Sequence, residues 1–426
     1  MNYSEALEYI HCGFFGGTRP GLERVTELLD RLGNPQDGLR FIHVAGTNGK
    51  GSFCAMTDSV LRQAGYRTGL YTSPYIERFN ERMMYDGRPV SDEELAELTS
   101  FVRPFAESME DRPTEFELIT AVAMLFFKRH GADPVVLEVG MGGRLDATNV
   151  IKEPLVSVIT GISLDHTAIL GDTLAKIASE KAGIIKPGVP VVWGGNAAPA
   201  SRVIHRTAAE RGCKCSDVRK RPVKVISMDL GGTVFRYAGY TAALSLLGTY
   251  QPYNAANVIT AVEELRGRGI KISDRDLLLG LKKASWKARF ELVSSSDPVV
   301  ISDGSHNPEG IGAAIDGIRA YFGTQKVILL TGVMKDKDYP AMADSLSGIA
   351  AAAYTLRPDN SRALDPSLFA KEFRRCGVEA QSSDTVLEAV EKAVAAAREQ
   401  NRPLIALGSL YMYKDVREAF RTVLGK

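Results

Sequence analysis

At 426 residues the chain is too long for one ordinary hydrophobic core, so its length predicts two domains. A formal net charge of +1 excludes a general electrostatic affinity for nucleic acid or acidic membranes, and no apolar run approaches the roughly 20 residues that span a bilayer. The first residues, Met1–Glu5, lack the pattern of a secretion signal, and an odd number of cysteines, five, argues against a disulfide framework. These features predict a cytoplasmic globular protein.

The first 38 residues predict a helical lead-in. Apolar residues from Leu22 to Leu32 are spaced for one face of a helix, which Gly33 and Pro35 end. Ahead of this helix, residues 11–17 are rich in glycine and aromatic side chains. They favour a surface loop, and packing of this loop on a ligand stays open.

The stretch from residue 41 to residue 52 predicts a phosphate-binding loop. An apolar run typical of a buried strand leads into a glycine-rich turn, which delivers Lys50 and Ser52 to the start of a helix. Free backbone N–H groups and the positive end of the helix both favour phosphate. Lys50 is predicted against the β- and γ-phosphates, and the Ser52 hydroxyl against Mg²⁺. Because Val44 and Gly51 depart from the usual motif, an ordinary glycine turn is the alternative.

Polar side chains end several of the predicted strands. Ser73 follows the strand at 66–72, Glu138 interrupts the apolar strand at 134–139, and His166 follows the strand at 156–162. Open α/β sheets gather ligands at the carboxyl ends of their strands. A buried carboxylate is costly unless it meets a cation, which favours a metal at Glu138. A turn role for Ser73 and a structural role for His166 are the alternatives.

Capping spacings predict two helix starts, because a Ser or Thr precedes a Glu by three residues. The pairs are Ser91 with Glu94 and Thr114 with Glu117. A capping role for Glu117 competes with any ligand role. Further along, Asn254 lies near the start of a predicted helix, where capping would be a sufficient role for it.

Strand and helix patterns alternate along most of the chain, which predicts an α/β fold with two domains. Residues 1–285 are the predicted N-terminal ATP-binding domain, a P-loop, mostly parallel sheet with helices on both faces. Residues 286–297 are predicted as a linker. Residues 298–426 repeat the alternation and form a smaller, Rossmann-like α/β domain, whose first strand ends in the polar run from Asp303 to Asn307.

A series of motifs spans nearly the whole chain. They are Gly46–Ser52, Ser73-Pro74, Leu137–Gly140 with the glycine turn through Asn149, Leu164–Thr167, Glu180–Gly183, Asn254–Asn257, Asp303–Pro308 and Gly408–Tyr411. In content and order they resemble those of the folylpolyglutamate synthases, ATP-dependent amide ligases of the Mur ligase superfamily. The glycine between Lys50 and Ser52 also fits this family better than the general P-loop proteins.

The resemblance implies a set of residues for ATP and for a metal. It places ATP against Thr47, Asn48, Gly49, Lys50, Gly51, Ser52, Asn254, Arg289, Asp303, His306 and Ser409. It surrounds Mg²⁺ with Ser52, Ser73, Glu138 and His166. It gives catalytic roles to Lys50, His166 and Lys181. A monovalent cation such as K⁺ is a further cofactor that the resemblance allows.

The resemblance also implies a modified lysine and a folate pocket. Lys181 matches a lysine that becomes carbamylated, which turns a cation into a carboxylate-like metal ligand. A surface salt bridge with Glu180 is the alternative for the unmodified side chain. The residues that correspond to the pterin side of the folate pocket are Thr114, Phe116, Glu117 and Asp146.

The implied activity is the addition of L-glutamate to the terminal glutamate carboxylate of tetrahydrofolate, through an acyl phosphate made from ATP. The implied partners are these small molecules, with no nucleic acid and no membrane, and a monomer is expected. Three alternatives stay open: an additional activity that joins glutamate to 7,8-dihydropteroate, a cell-wall Mur ligase, and an ATP-dependent switch without ligation. The form of the turn from Arg144 to Asn149 is compatible with the dihydropteroate activity.

The sequence departs from the family's pattern at three places. Tyr75 stands where many members have histidine, Lys287-Ala288 where Pro-Gly often precedes the arginine, and Ser305 where alanine is usual. None of these changes touches the predicted phosphate or metal groups.

Overall fold

The computed structural model describes residues 1–12, 19–195 and 197–425, and most of the predicted loop at 11–17 lies outside them. The chain divides into two compact units. The first contains Met1–Lys224, Arg236–Ala242 and Tyr253–Ala284, and the second contains Val225–Phe235, Ala243–Pro252 and Ser285–Lys426. None of the helices in the described part of the chain combines the length and the apolar character that a membrane crossing requires.

The first unit is built on an eight-stranded sheet. Its strands are β1 (Phe41–Ala45), β2 (Gly69–Tyr71), β3 (Met83–Tyr85), β4 (Arg88–Pro89), β5 (Val135–Glu138), β6 (Val156–Ile159), β7 (Val191–Trp193) and β8 (Cys215–Asp217). Its helices are α1 (Tyr3–Cys12), α2 (Glu23–Arg31), α3 (Lys50–Gln63), α4 (Asp92–Glu107), α5 (Glu115–His130), α6 (Thr167–Leu170), α7 (Leu174–Ala182), α8 (Ala198–Glu210), α9 (Gln251–Gly267) and α10 (Asp274–Lys283).

The strand order in this sheet is β4-β3-β2-β5-β1-β6-β7-β8. Strands β2, β5, β1, β6, β7 and β8 run parallel, whereas β3 and β4 add an antiparallel edge. Because neighbouring strands are parallel, the turns that follow β1, β5, β6 and β7 emerge at the same edge of the sheet. This edge therefore brings together segments that are far apart in sequence.

Two hydrophobic clusters cover this sheet. One joins α2, α4 and α5 to the strands through side chains such as Leu98 and Phe127. The other joins α7 and α8 to β6 and β7, with the fully buried Trp193 at its centre. The predicted α/β fold with a mostly parallel sheet is confirmed.

The second unit contains a six-stranded sheet of order β12-β13-β17-β14-β15-β16. Its strands are β12 (Glu291–Ser295), β13 (Val299–Ser302), β14 (Val327–Thr331), β15 (Ala350–Thr355), β16 (Glu379–Ser382) and β17 (Leu404–Leu407). Its helices are α11 (Pro308–Phe322), α12 (Tyr339–Ser347), α13 (Pro366–Arg375), α14 (Val386–Glu399) and α15 (Tyr413–Leu424). Only β12 runs antiparallel to its neighbour, which agrees with the predicted Rossmann-like domain.

Four strands, β9 to β12, lie between residues 224 and 295. Strands β9 (Lys224–Asp229), β10 (Gly232–Tyr237) and β11 (Tyr240–Leu244) form a small separate sheet, and parts of it belong to the second unit. The stretch 286–297, predicted as a linker, contains β12, which pairs with β13. This strand lies at the edge of the sheet and is mostly of intermediate burial, with Leu292 and Val293 packed against the core.

Candidate active site

The turn after β1, predicted to bind phosphate, needs glycine at two positions. Gly46 has a φ of 153° and Gly49 a φ of 86°, a region that favours glycine. A Cβ on Gly46 would overlap the Thr160 hydroxyl, and a Cβ on Gly49 would lie 2.6 Å from the Asn254 side-chain oxygen. Both glycines are therefore required by close neighbours as well as by conformation. Asn254 lies within α9, not at its start, so the predicted helix-capping role is wrong.

The loop is tied to the segment that follows β6. Thr47 donates its backbone N–H to the Gly161 carbonyl at 2.8 Å, and its hydroxyl exchanges hydrogen bonds with the backbone of Ser163. The Thr160 hydroxyl donates to the Asn48 carbonyl at 2.7 Å. These hydrogen bonds join Thr47 and Asn48 to the segment after β6. The conformation of the loop therefore depends on the tertiary structure as well as on the turn itself.

Lys50 is the cation beside the buried Glu138. Its ammonium lies 3.9 Å from a Glu138 carboxylate oxygen, and it donates to the carbonyls of Gly46 and Thr47 at 3.2 and 3.3 Å. The Ser73 backbone N–H donates to the other Glu138 oxygen at 3.3 Å. The structure thus brings Lys50, Glu138 and Ser73 together, and their assignment to phosphate and to a metal stays a prediction. It also identifies Lys50 as one cation that offsets the cost of burying Glu138.

Lys181 on α7 is buried, with 4% of its surface exposed. Its ammonium donates to the Gly46 carbonyl at 2.8 Å. Burial first, and then repulsion from Lys50, lowers its pKa to about 7, although nearby Asp165 and Asp146 oppose this change. Glu180 pairs instead with Arg144 at 2.9 Å, so the surface salt bridge considered for Lys181 is wrong.

His166 and Ser52 complete the predicted metal set. Ser52 lies buried in the first turn of α3. The His166 side chain is half-exposed, and the residue has a φ of 49°. The Asp165 carboxylate accepts the His166 backbone N–H at 2.9 Å, which helps to fix the backbone there. The described residues contain no cluster of three or more His, Cys, Asp and Glu side chains with metal-site geometry. Hydroxyl and carboxylate oxygens at Ser52, Ser73 and Glu138 nevertheless fit a hard cation such as Mg²⁺.

Two predicted folate residues, Thr114 and Glu117, have clear structural roles. Thr114 caps α5, and the Glu117 carboxylate accepts the Thr114 backbone N–H at 2.7 Å, which completes the predicted capping box. The same carboxylate accepts two hydrogen bonds from the Arg24 guanidinium at 2.9 and 3.0 Å. Both partners of this ion pair are buried.

Asp146 is the acceptor at the end of a buried hydrogen-bonded series. It accepts the Met141 backbone N–H at 2.9 Å and the Thr148 hydroxyl at 2.5 Å. The Thr148 oxygen lies 2.9 Å from the His43 Nε2 atom. Since Thr148 donates its proton to Asp146, His43 must donate to Thr148. Burial lowers the pKa of His43 to about 3, so its ring is neutral, and burial raises the pKa of Asp146.

Phe116, the remaining predicted folate residue, lies over the turn after β5. A Cβ on Gly140 would come within 2.6 Å of the Phe116 ring, so this glycine makes room for the aromatic side chain. The ring is partly exposed, unlike its neighbour Tyr71, with which it packs at a centroid distance of 6.0 Å.

The second unit positions the other predicted ATP residues. Asp303 follows β13 and accepts the backbone N–H groups of Phe290 and Ser305 at 2.7 and 2.9 Å. His306 places its Nδ1 atom 2.9 Å from the Gly304 carbonyl, which makes Nδ1 the protonated nitrogen. A Cβ on Gly304 would lie 2.7 Å from the Arg289 guanidinium, so Arg289 and the Asp303–His306 turn are in contact.

Ser409 is buried after β17, where its hydroxyl caps the short 3₁₀ helix Leu410–Met412. This local role is sufficient to explain a serine at that position. A contact with ATP is therefore still a prediction for Ser409.

Sequence reasoning missed Arg24, Thr160 and His43, which form hydrogen bonds with residues in or next to the predicted site. Their partners are 93, 112 and 105 residues away in the chain, at Glu117, Asn48 and Thr148. The signal that could have identified His43 is its position inside an otherwise apolar strand.

Comparisons with known proteins agree along both units. Residues 44–262 match the family described as the Mur ligase middle domain, and residues 288–410 match the Mur ligase glutamate ligase domain. The chain is 38% identical to a dihydrofolate synthase/folylpolyglutamate synthase of Bacillus subtilis, over 98% of this chain and 99% of the relative. It is 37% identical to a folylpolyglutamate synthase of Lacticaseibacillus casei, over 100% and 99%.

A solved structure gives the same result. The folylpolyglutamate synthase of Mycobacterium tuberculosis complexed with ADP and AMPPCP has a TM-score of 0.87 at 28% identity, and the match covers 100% of this chain and 99% of that one. Because the relatives match nearly end to end, the chain belongs to the folylpolyglutamate synthase/dihydrofolate synthase family of the Mur ligase superfamily.

Proposed function

We propose that this protein uses ATP to add L-glutamate to the terminal glutamate carboxylate of tetrahydrofolate. The observation that carries the proposal is the phosphate-binding loop with Lys50 beside the buried Glu138, in a chain of this family. The solved relative that contains ADP and AMPPCP supports ATP as the nucleotide.

The residues present suit a reaction in two steps. A carboxylate oxygen of the folate attacks the γ-phosphorus of ATP, so that ADP leaves and an acyl phosphate forms. The amine of glutamate then attacks the acyl carbon, phosphate leaves and an amide forms with loss of a proton. Phosphoryl transfer depends mainly on positioning and charge neutralisation, which Lys50 and the N–H groups of the loop at Gly49 would supply.

Mg²⁺ would be held by oxygens of Ser52, Ser73 and Glu138, with His166 as a nitrogen ligand. When bound, it would neutralise negative charge on the phosphates. The N–H of Ser73 and the ammonium of Lys50 already orient the Glu138 carboxylate. K⁺ is a further proposed cofactor. We also expect the protein to be cytoplasmic and to be a monomer. Sedimentation analysis would test the oligomeric state.

A second activity, the joining of glutamate to 7,8-dihydropteroate, is favoured by the double name of the Bacillus subtilis relative. Similarity over the full chain length makes a cell-wall ligase the weaker alternative.

Incorporation of radiolabelled glutamate, measured in parallel with tetrahydrofolate and dihydropteroate, tests the proposal. We expect ATP-dependent incorporation with tetrahydrofolate, and incorporation with dihydropteroate if the protein has both activities. Incorporation only with a muramyl substrate would identify a cell-wall ligase. ATP binding without glutamate-dependent phosphate release would identify a switch.

Carbamylation of Lys181 is a further prediction. The reaction with carbon dioxide requires the neutral amine, and a lysine with a pKa near 7 is largely neutral above that pH, whereas an ordinary lysine is not. We expect a carbamate signal in ¹³C NMR after addition of ¹³C-bicarbonate at pH 8, and its decrease below pH 7. Lys176, an exposed lysine on the same helix, is the matched control, so the signal should survive Lys176→Ala and disappear in Lys181→Ala. A signal that survives Lys181→Ala would contradict the assignment.

A further inference from the structure

The backbone on both sides of Arg289 is strained. Ala288 has a φ of 53° and Phe290 a φ of 51°, so two residues without glycine's freedom adopt the left-handed conformation. Both are fully buried. Such strain persists only where the surroundings hold it, and it is concentrated at functional sites. The two residues therefore need an explanation in their contacts.

A carboxylate holds the peptide group between Lys287 and Ala288. Glu291 accepts the Ala288 backbone N–H at 2.9 Å, the Tyr413 hydroxyl at 2.5 Å and the Arg417 guanidinium at 2.9 Å. Tyr413 and Arg417 both lie on α15, so this helix fixes the carboxylate. Only 22% of the Glu291 side chain is exposed, which limits competition from water.

A second carboxylate, that of Asp303, holds the peptide group that follows Arg289. Asp303 accepts the Phe290 backbone N–H at 2.7 Å, and the Gly304 N–H donates to the Ala288 carbonyl at 2.9 Å. The Arg289 guanidinium donates to the same carbonyl at 3.0 Å. The peptide groups before and after Arg289 are thus both held by the Asp303-Gly304 turn, whereas Glu291 holds the peptide group one residue earlier. Glu291 and Gly304 therefore fix the two peptide groups that flank Ala288, and with them its left-handed conformation.

Asp303 is already assigned to the predicted ATP site, whereas Glu291 is not. We propose that Glu291 is a positioning residue, which holds Ala288 in its left-handed conformation and so directs the Arg289 guanidinium toward ATP. The proposal rests on the proposed function, because Arg289 is assigned to ATP there. A purely structural alternative is that Glu291 only ties α15 to β12, in which case it contributes to stability but not to the use of ATP.

Steady-state kinetics with saturating folate and glutamate separate these roles. We expect Glu291→Ala to raise the KM for ATP about ten-fold, with a smaller change in kcat, because a misdirected guanidinium binds phosphate less well. Adding Arg289→Ala to this variant should have little further effect, since both changes remove one function. Introducing Ala288→Gly into Glu291→Ala should restore much of the KM, because glycine adopts the left-handed conformation without the carboxylate.

Glu372 provides a matched control in the same unit. Its carboxylate is bonded to Arg375 at 2.6 Å and its side chain is 20% exposed, close to the value for Glu291. Glu372→Ala should leave the KM for ATP unchanged. A Glu291→Ala variant with a lower melting temperature and an unchanged KM would overturn the proposal and support the structural alternative. An unchanged KM in Arg289→Ala alone would show that the ATP assignment of Arg289 failed, and the positioning role with it.

Discussion

Replacing Lys50 by alanine is expected to lower glutamate-dependent phosphate release by about 10²- to 10³-fold or more. In the structure the Lys50 ammonium lies at the glycine-rich turn after β1, where it contacts the carbonyls of Gly46 and Thr47 and the Glu138 carboxylate. Without it, negative charge on the transferred phosphoryl group would lose the ammonium group that lies beside the buried Glu138 carboxylate. A coupled assay for phosphate release, with and without glutamate, measures the effect.

Two controls keep this result interpretable. Lys176→Ala removes a lysine whose side chain is 63% exposed, and it should leave the activity unchanged. Circular dichroism and the melting temperature should show that Lys50→Ala still folds. Activity within about ten-fold of the parent in a folded Lys50→Ala variant would refute the assignment of this loop to phosphate.

Replacing Glu117 by alanine is expected to lower the free energy of unfolding by about 3–5 kcal/mol. The variant leaves the Arg24 guanidinium buried without its two charge-assisted hydrogen bonds, and it removes half of the capping box at the start of α5. Urea or thermal unfolding, followed by circular dichroism, measures the change.

Glu115 is the control, because it lies in the same helical turn and 39% of its side chain is exposed, against 5% for Glu117. Its ion pair is with the partly exposed His11 at 3.4 Å. Glu115→Ala should cost less than about 1 kcal/mol. The double replacement of Arg24 and Glu117 by leucine should recover part of the loss, since no buried charge then remains unpaired. A stable Glu117→Ala variant with a raised KM for folate would instead support the predicted ligand role of Glu117.

Local patterns in the sequence determined much of the fold. The glycines at 46 and 49, followed by Lys50, predict a tight turn that leads into a helix. This prediction succeeds because such a turn depends only on the conformation of residues that are neighbours in the chain. The capping box at Thr114 was predicted for the same reason, since its partners are three residues apart. The central strands of the first sheet were also predicted, because continuous apolar runs identify strands that are buried on both faces.

Contacts between distant residues were decided by the tertiary structure. The pairing of Arg24 with Glu117, the burial of Lys181 against Gly46 and the hydrogen bond from His43 to Thr148 join residues on different elements. No local pattern encodes them, because each depends on the order of strands in the sheet and on which helix covers which face. The same reason explains why the predicted linker is a strand: Glu291–Ser295 becomes one only when β13 lies beside it. The sequence by itself therefore determined the family and the glycine-rich turn that is predicted to bind phosphate, because both depend on local motifs. The packing of distant elements decided which charged groups contact that turn, because the partners are far apart in the chain.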